Sequence, residues 1–186
     1  MPQPWKPTKE QLLAARDRTV RDLIAPGLRV LFCGINPGLY TAAVGHHFAR
    51  PGNRFWPALY AAGFTDRLLS TFDEEKLLKS GYGITNLVMR TTATADELTS
   101  EEFREGGKKL TAKVRRYKPQ FLALLGLGAY RAGFGRAKAT VGRQAEQIGQ
   151  TSIWVLPNPS GLNAHYQAKE LARLFGEFKT AVDEHR

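Results

Sequence analysis

Apolar residues along the chain fall into two patterns, short continuous runs and segments with an apolar residue every three or four positions. The runs predict strands buried on both faces, at residues 29–35, 84–88, 121–125 and 152–156. The spaced segments predict helices at residues 53–62, 73–79, 99–117, 128–134 and 168–182. Strands that alternate with helices form right-handed crossovers, so we predict an α/β fold with a mainly parallel sheet covered on both faces.

The chain opens with a helix-capping pattern. Thr8 and Gln11 have the spacing of a capping box. The amphipathic segment that follows is predicted to be helical to about Leu23, after which a Pro-Gly pair stops it. We therefore interpret residues 1–24 as an N-terminal helical extension of a single domain that spans residues 1–186.

Two Asn-Pro turns follow predicted buried strands. One is Gly34-Ile35-Asn36-Pro37-Gly38, and the other is Leu156-Pro157-Asn158-Pro159-Ser160-Gly161-Leu162. Either motif alone also fits an ordinary tight turn, because Asn, Pro and Gly are the usual turn residues. Ligand sites of open α/β sheets lie beyond the carboxyl ends of the strands. We therefore predict that Asn36 and Asn158 face one shared site, together with the loop after residues 84–88.

An aromatic and basic stretch lies between these motifs, at residues 45–56. Phe48 stands in a loop between glycines and basic residues, where an aromatic ring can stack on a flat base. Phe55 and Trp56 open a predicted helix and are expected to pack in the core. The His46-His47 pair could ligate a metal, but no carboxylate or cysteine stands beside it, so phosphate or structural contacts are the favoured interpretation.

The balance of charge is strongly positive. The chain has 27 Lys and Arg against 17 Asp and Glu, for a formal net charge of +10 and a pI near 9.9. This sign favours a polyanionic partner, with nucleic acid as the leading candidate. The densest positive group, within residues 104–118, also fits an ordinary solvated helix face. Charge therefore indicates nucleic-acid binding without locating the surface.

Composition disfavours several classes of function. Cys33 is the only cysteine, which excludes an intrachain disulfide and a four-cysteine zinc or iron–sulfur site, and the four histidines form no convincing metal set. We predict no metal and no other cofactor. The apolar runs are far shorter than the roughly 20 residues that span a bilayer, and the first residues lack an apolar signal core. We therefore expect a cytoplasmic protein with no membrane partner.

The two Asn-Pro motifs resemble the signature motifs of the mismatch-specific uracil and thymine DNA glycosylases, a family of the uracil-DNA glycosylase superfamily. The similarity extends from about Ala25 to the last predicted helix. Gly45-His46-His47-Phe48 and Glu102-Phe103-Arg104-Glu105-Gly106-Gly107 also resemble the thymine DNA glycosylases. The resemblance implies a three-layer αβα sandwich and an enzyme that flips its target nucleotide into a pocket. We expect a monomer that acts on double-stranded DNA.

The resemblance also implies a role for each motif residue. Asn36 would position the hydrolytic water, and Phe48 would stack on the flipped base. Further substrate contacts would come from Ile35, Gly38, Thr41 and Asn158, and DNA contacts from Ser160, Gly161, Leu162 and Asn163. Leu162 matches the wedge that fills the space left by the flipped nucleotide, and Thr41 falls in the stretch that the family places beside the C5 methyl of thymine.

Two features depart from the family pattern. Asn163-Ala164-His165 stands where the bacterial mismatch-specific enzymes place an arginine after the wedge, so recognition of the opposite base is expected to be weaker. Asp96, in the polar loop after residues 84–88, adds a carboxylate on the site side of the sheet. Asp96 is thus a second catalytic candidate, as a general base or a stabiliser of the sugar cation. Alternatively, Asp96 and Glu97 only favour the positive N-terminus of the next helix.

These features predict a monofunctional DNA repair glycosylase that removes uracil or related damaged pyrimidines, notably from G:U mismatches, and leaves an abasic site. Two other functions stay open at this point. A non-catalytic protein of the same fold could bind nucleic acid through its basic surface alone. A nucleotide-binding enzyme could use residues 34–38 as a phosphate loop, although neither G-x-G-x-x-G nor G-x-x-x-x-G-K-[ST] occurs at this turn.

Overall fold

The computed structural model describes residues 5–185, and a five-stranded sheet forms its centre. The strands are β1 (Val30–Gly34), β2 (Tyr82–Asn86), β3 (Phe121–Leu125), β4 (Gly142–Ile148) and β5 (Thr151–Leu156). Their order across the sheet is β2-β1-β3-β5-β4. The pairs β2-β1, β1-β3 and β3-β5 are parallel, whereas β4 runs antiparallel to β5 as one arm of an edge hairpin.

Helices cover both faces of this sheet. They are α1 (Lys9–Ala14), α2 (Leu39–Val44), α3 (Phe55–Ala61), α4 (Glu74–Lys79), α5 (Ser100–Tyr117), α6 (Leu127–Phe134) and α7 (Ala168–Glu184). Short 3-10 turns at Thr71–Asp73 and Ala95–Glu97 precede α4 and α5. Buried residues of α3 and α7 pack on one face, and those of α5 and α6 pack on the other. The predicted three-layer αβα arrangement around a mostly parallel sheet is confirmed.

The side chains of β1 alternate between the two layers of core. Phe32 packs edge-on against Phe55 and Phe178, whereas Leu31 and Cys33 face the cluster under α5 and α6. Every residue of β1, β2 and β3 is buried. Burial on both faces explains the nearly continuous apolar runs from which these strands were predicted.

The predicted length of the N-terminal helix is wrong. α1 ends at Ala14, and Asp17 has a left-handed backbone conformation with φ of 62°. Leu23, predicted to be helical, instead forms an antiparallel bridge with Ile84 through hydrogen bonds of 2.9 and 2.8 Å. Leu23 therefore covers edge strand β2, whereas Ala15 and Val20 pack with Ala42 of α2. The first four residues of the predicted extension lie outside the described residues.

Two elements were missing from the prediction, and one strand was displaced. β4 lies in a polar stretch whose residues alternate between exposed and half-buried, so it carries no continuous apolar run. α2 has only six residues, too few for a helical period to stand out. The strand predicted at residues 84–88 is β2, which ends at Asn86, so residues 87–88 already belong to the following loop.

Parallel pairing brings the carboxyl ends of β1, β2 and β5 to one edge of the sheet. Both Asn-Pro turns and the polar loop after β2 start at this edge.

Among the residues described, none of the helices is both long and apolar enough to cross a bilayer.

Candidate active site

A cavity of about 430 Å³ opens at the carboxyl edge of the sheet. Most of the predicted site residues line it, namely Ile35, Asn36, Gly38, Thr41, Phe48, Asp96, Asn158, Ser160, Leu162 and Asn163. Gly161 is not part of the wall and packs instead against the backbone of Gly52. The two Asn-Pro turns and the loop after β2 therefore share one cavity.

The side-chain amide of Asn36 is held in one orientation. Its Nδ2 donates hydrogen bonds to the carbonyl of Arg90 at 2.9 Å, the hydroxyl of Thr92 at 2.8 Å and the carbonyl of Pro37 at 3.3 Å. The Thr92 hydroxyl donates its own proton to the carbonyl of Thr94 at 2.7 Å, so it accepts from Asn36. Since these partners are acceptors, a flipped amide would lose its bonds. The Oδ1 of Asn36 accepts no hydrogen bond from a described residue and is left for the cavity.

An ion pair fixes the backbone that holds Asn36. Arg90 bonds to both carboxylate oxygens of Glu102 in α5, at 2.7 and 3.1 Å. The Arg90 guanidinium, aided by the backbone N–H of Thr99, lowers the pKa of Glu102 to about 2. The pair therefore stays ionised at neutral and mildly acidic pH, and the Arg90 carbonyl keeps its place.

Two glycines, at residues 106–107, bring α5 close to the same loop. A Cβ at Gly106 would lie 2.4 Å from the carbonyl oxygen of Leu87, just after β2, and one at Gly107 would lie 2.1 Å from that of Gly133 in α6. Any larger residue would push α5 outward, and Glu102 with it. The Gly-Gly pair thus serves the packing that positions the loop behind Asn36.

Phe48 forms an aromatic wall of the cavity. Its backbone is left-handed, with φ of 53°, and its ring stacks on Phe55 with the centroids 4.0 Å apart. Phe55 is fully buried, which confirms its predicted place in the core, so the stack fixes the Phe48 ring. A Cβ at Gly34 would lie 3.3 Å from this ring and 2.7 Å from Oδ1 of Asn86. The first motif therefore needs glycine at residue 34, where Phe48 and Asn86 meet above the backbone.

Thr41, Gly38 and Ile35 complete the wall beside the first motif. The Thr41 hydroxyl accepts a hydrogen bond from the backbone N–H of Ala49 at 3.2 Å, and its side chain is 8% exposed. Gly38 leads into α2. The Ile35 carbonyl accepts a bond from the Val88 N–H at 2.9 Å, so this acceptor is already engaged within the protein.

Residues 158–163 form the opposite wall. The Oδ1 of Asn158 accepts a bond from the Ser160 N–H at 3.0 Å, and its carbonyl accepts one from Nδ2 of Asn163 at 3.0 Å. The Ser160 hydroxyl accepts the N–H of Leu162 at 3.2 Å. The Leu162 side chain is 66% exposed, the highest value among the large apolar side chains of the described residues. Hydrogen bonds within the loop thus fix the Asn158 side chain, while the apolar tip of the loop stays in solvent.

A family model described as the uracil DNA glycosylase superfamily matches residues 21–180. The match covers most of the chain and contains every cavity residue named above. This chain belongs to the uracil DNA glycosylase superfamily. Membership implies DNA glycosylase activity on uracil and a place in base excision repair, with DNA as the partner.

Sequence patterns do not single out Asn86, which lines the cavity of this glycosylase from the end of β2. Asn86 is 6% exposed, and its Nδ2 has no hydrogen-bond partner among residues 5–185. A buried donor without a partner costs about 1–3 kcal/mol, so one that borders a cavity points to a polar ligand. Asn86 pairs with Gly34 of the first motif across β1 and β2, and this long-range register has no signature in the sequence.

The two carboxylates in the loop after β2 have different surroundings. Glu97 accepts the backbone N–H groups of Ala93 and Thr94 at 3.1 and 3.2 Å, and it pairs with Arg16 at 2.6 Å. Arg16 is the main cause of a lowered pKa of Glu97. Asp96 is exposed, lines the cavity and makes no hydrogen bond or ion pair with another described residue. Glu97 therefore closes its own turn, whereas Asp96 stays available to the cavity.

His46 and His47 make structural contacts. His47 is 1% exposed, with Nε2 2.8 Å from the carbonyl of Arg21 and its backbone N–H 2.9 Å from Glu74. The other carboxylate oxygen of Glu74 lies 2.9 Å from Nδ1 of His46. The pair thus ties the loop after α2 to α4. Within residues 5–185, no three His, Cys, Asp or Glu side chains come together closely enough to hold a metal ion.

Proposed function

We propose that this glycosylase is a monofunctional, mismatch-specific enzyme that flips uracil or a related damaged pyrimidine out of double-stranded DNA, notably from G:U pairs, and hydrolyses its N-glycosidic bond. The observation that carries the proposal is the fixed amide of Asn36, whose Nδ2 is engaged by three acceptors while Oδ1 is left for the cavity. An amide oxygen accepts a hydrogen bond from water, so Asn36 would hold one water beside the sugar of a flipped nucleotide.

Charge stabilisation supplies the rest of the chemistry. Breaking the N-glycosidic bond leaves its electron pair on the base and positive charge on the sugar, and oriented dipoles stabilise such charges strongly. A base stacked on Phe48 would meet two donors, the unpartnered Nδ2 of Asn86 and the Phe48 N–H, which donates to no described residue. Asn158 also offers Nδ2, since its Oδ1 is engaged by the loop. These groups favour uracil as an anionic leaving group.

The attacking water completes the balance of the reaction. Its oxygen bonds to the sugar carbon that the base leaves, and its proton passes to solvent, to the departing base or to Asp96. Asp96 is suited to an auxiliary role because it borders the cavity and is unpaired among the described residues. The residues that line the cavity include no lysine, so the wall offers no amine for a Schiff base with the sugar. Hydrolysis without strand cleavage fits this wall.

The second loop suits contact with the duplex. The exposed side chain of Leu162 would enter the space left by the flipped nucleotide, and Ser160, Gly161 and Asn163 would lie against the DNA around it. Arg50, an exposed cation in the cavity wall with no carboxylate partner among the described residues, is placed to contact a phosphate. One chain supplies the whole set, so the proposal is for a monomer.

The test is excision from synthetic DNA by the purified protein. Duplexes with one uracil opposite guanine or adenine, and the corresponding single strand, are incubated with excess enzyme and then treated with alkali. We expect alkali-labile sites at uracil, fastest opposite guanine, and no covalent complex when borohydride is added. Absence of such sites would reject the enzymatic proposal, and a borohydride-trapped complex would reject the monofunctional one.

A further inference from the structure

The loop that carries Leu162 is held by a side chain from outside it, that of Arg54. Arg54 lies in the turn before α3 and donates from Nη2 to the carbonyls of Ser160 at 2.6 Å and Asn163 at 2.8 Å. Its Nη1 donates to the carbonyl of Tyr166. These carbonyls lie on both sides of Leu162 in the chain. A single guanidinium therefore fixes the course of the loop before and after its exposed tip.

Backbone contacts support the same placement. The Arg54 N–H donates to the carbonyl of Pro159 at 2.9 Å. A Cβ at Gly161 would lie only 2.6 Å from the carbonyl oxygen of Gly52, so the loop rests directly on the turn before α3. The Arg54 side chain holds the other end of the loop through its hydrogen bonds to the carbonyls of Asn163 and Tyr166.

The chemistry of these contacts suits arginine in particular. A planar guanidinium reaches several separate acceptors from fixed directions, whereas an ammonium is a compact point charge. The acceptors are neutral carbonyls, and Arg54 has no carboxylate within salt-bridge distance among the described residues. Its charge is therefore not cancelled, so Arg54 can affect DNA through the shape of the loop or through its charge alone. Arg54→Lys separates these two effects, because lysine keeps the positive charge but does not make the same set of hydrogen bonds.

We propose that Arg54 is a positioning residue for insertion into the duplex. By holding the carbonyls around Leu162, it keeps the loop in the shape that fills the stack, so no ordering of the loop is needed when DNA binds. It takes no part in hydrolysis. The proposal rests on the base-flipping function proposed above. Since a single strand leaves no gap in a duplex to be filled, loss of Arg54 should slow excision from duplex selectively.

The test compares Arg54→Lys and Arg54→Met with Arg116→Met, a control that also removes a positive charge. Arg116 lies in the last turn of α5, where the Tyr117 carbonyl accepts a hydrogen bond from Gly27. This contact is near the amino end of β1, and the cavity lies beyond the carboxyl end. Single-turnover excision is measured on a uracil duplex and on the matching single strand. We expect both Arg54 variants to lose about fivefold on duplex and less than about twofold on single strand, a range typical of lost hydrogen bonds. Combined with Leu162→Ala, neither should slow duplex excision further, because both changes act on one step.

A second measurement does not depend on catalysis. Hydrogen exchange of the free protein should show faster exchange of the amides of residues 160–166 in both Arg54 variants and unchanged exchange in Arg116→Met. An Arg54→Lys enzyme with wild-type exchange and wild-type duplex activity would overturn the proposal, and so would equal losses on duplex and single strand. A wild-type protein without excision would reject the proposed function instead, while hydrogen exchange would still decide whether Arg54 orders the loop.

Discussion

The asparagine side chains of the two Asn-Pro loops at the active-site edge are fixed in opposite ways. In the first, the Asn36 side chain is bound by other parts of the chain, through the Arg90 carbonyl and the Thr92 hydroxyl. In the second, the Asn158 side chain accepts from its own loop, at the N–H of Ser160. Outside support reaches the second loop through its main-chain carbonyls, which Arg54 holds on both sides of the exposed Leu162.

This difference suits the two tasks proposed for the loops, which are holding a water and inserting a wedge into DNA. A water must be aimed within a fraction of an ångström, which requires a side chain held from several directions. A wedge must leave solvent and enter DNA, which requires an exposed apolar group on a loop of defined shape. Changes in the first loop should therefore lower the rate of the chemical step and spare binding, while changes in the second should alter the handling of duplex DNA.

The largest effect should come from Asn36→Ala. Without the amide oxygen the water is not aimed, and loss of a positioned catalytic group lowers rates by on the order of 10²-fold or more. Single-turnover excision of uracil should fall accordingly, while affinity for the same duplex, measured by fluorescence anisotropy, stays near that of the wild type.

Asp96→Asn provides the matched comparison for this result. If Asp96 is auxiliary, its loss should matter more in the Asn36→Ala background than in the wild type. Near-normal excision by Asn36→Ala itself would remove Asn36 from the reaction, and equal losses in binding and rate would place its role in the structure of the loop.

The second effect in size concerns thymine. Thr41 is buried in the cavity wall, and its hydroxyl is held by the Ala49 N–H, so the side chain cannot easily turn away from a C5 methyl. One methyl group in a pocket discriminates by about 1–3 kcal/mol, so we expect uracil opposite guanine to be excised about 10- to 200-fold faster than thymine. Thr41→Ala should narrow this ratio by raising the thymine rate. Similar rates for both bases in the wild type would contradict a gate at Thr41.

The sequence accounts well for the first loop and less well for its support. Buried strands followed by Asn-Pro turns are visible as apolar runs and turn residues, so Asn36 and Asn158 could be placed near one edge in advance. The acceptor that holds Asn36 is the main-chain carbonyl of Arg90, and a carbonyl has no signature in a sequence. Asn86 was missed for a related reason, since one polar residue at a strand end becomes informative only when its lack of a partner is known.

The errors at the two edges of the sheet share a physical cause. Within residues 15–23, Leu23 pairs with edge strand β2 while Ala15 and Val20 pack with Ala42 of α2, and β4 is itself an edge strand that needs only one covered side. Their apolar residues are sparse, so spacing alone favoured a helix for the first and irregular structure for the second. Backbone pairing with another segment determines the structure of both, as in the bridge between Leu23 and Ile84.

The wedge gives the next effect. Leu162→Ala should reduce uracil excision from duplex by about tenfold, because unstacking a base costs a few kcal/mol that the wedge partly offsets. Excision from the single strand should change little, and affinity for a duplex with an abasic site should fall. The same loss on duplex and single strand would show that Leu162 acts on the pocket rather than on the stack.

A smaller effect is expected from Thr92→Val, which tests whether the first loop is held from outside. The valine keeps the volume of this buried residue but removes the hydroxyl that accepts from Asn36. One neutral hydrogen bond contributes about 0.5–1.5 kcal/mol, so the single-turnover rate should fall by about two- to tenfold with affinity unchanged. Thr92→Ser restores the hydroxyl and should recover most of the rate. A serine variant as slow as the valine variant would assign the loss to packing.

The smallest effect compares two histidines near the cavity, one buried and one exposed. His47, in the loop after α2, is buried, and burial lowers its pKa below the ordinary value of 6.5, although its hydrogen bond to the Arg21 carbonyl and the nearby Glu74 act in the opposite direction. His165 in the second loop is exposed. Between the lowered pKa and 6.5 the unfolded chain binds the proton that folded His47 excludes, so stability must decrease as pH falls through this window. A single group contributes at most about 1.4 kcal/mol per pH unit.

Thermal unfolding should therefore show a drop in Tm between neutral pH and about pH 5 that is smaller in His47→Gln, which keeps a donor for Arg21, and unchanged in His165→Gln. If both variants follow the wild-type profile, folded His47 takes up the proton as readily as the unfolded chain or other groups govern the acid response, and the burial of His47 has no part in the pH dependence of stability.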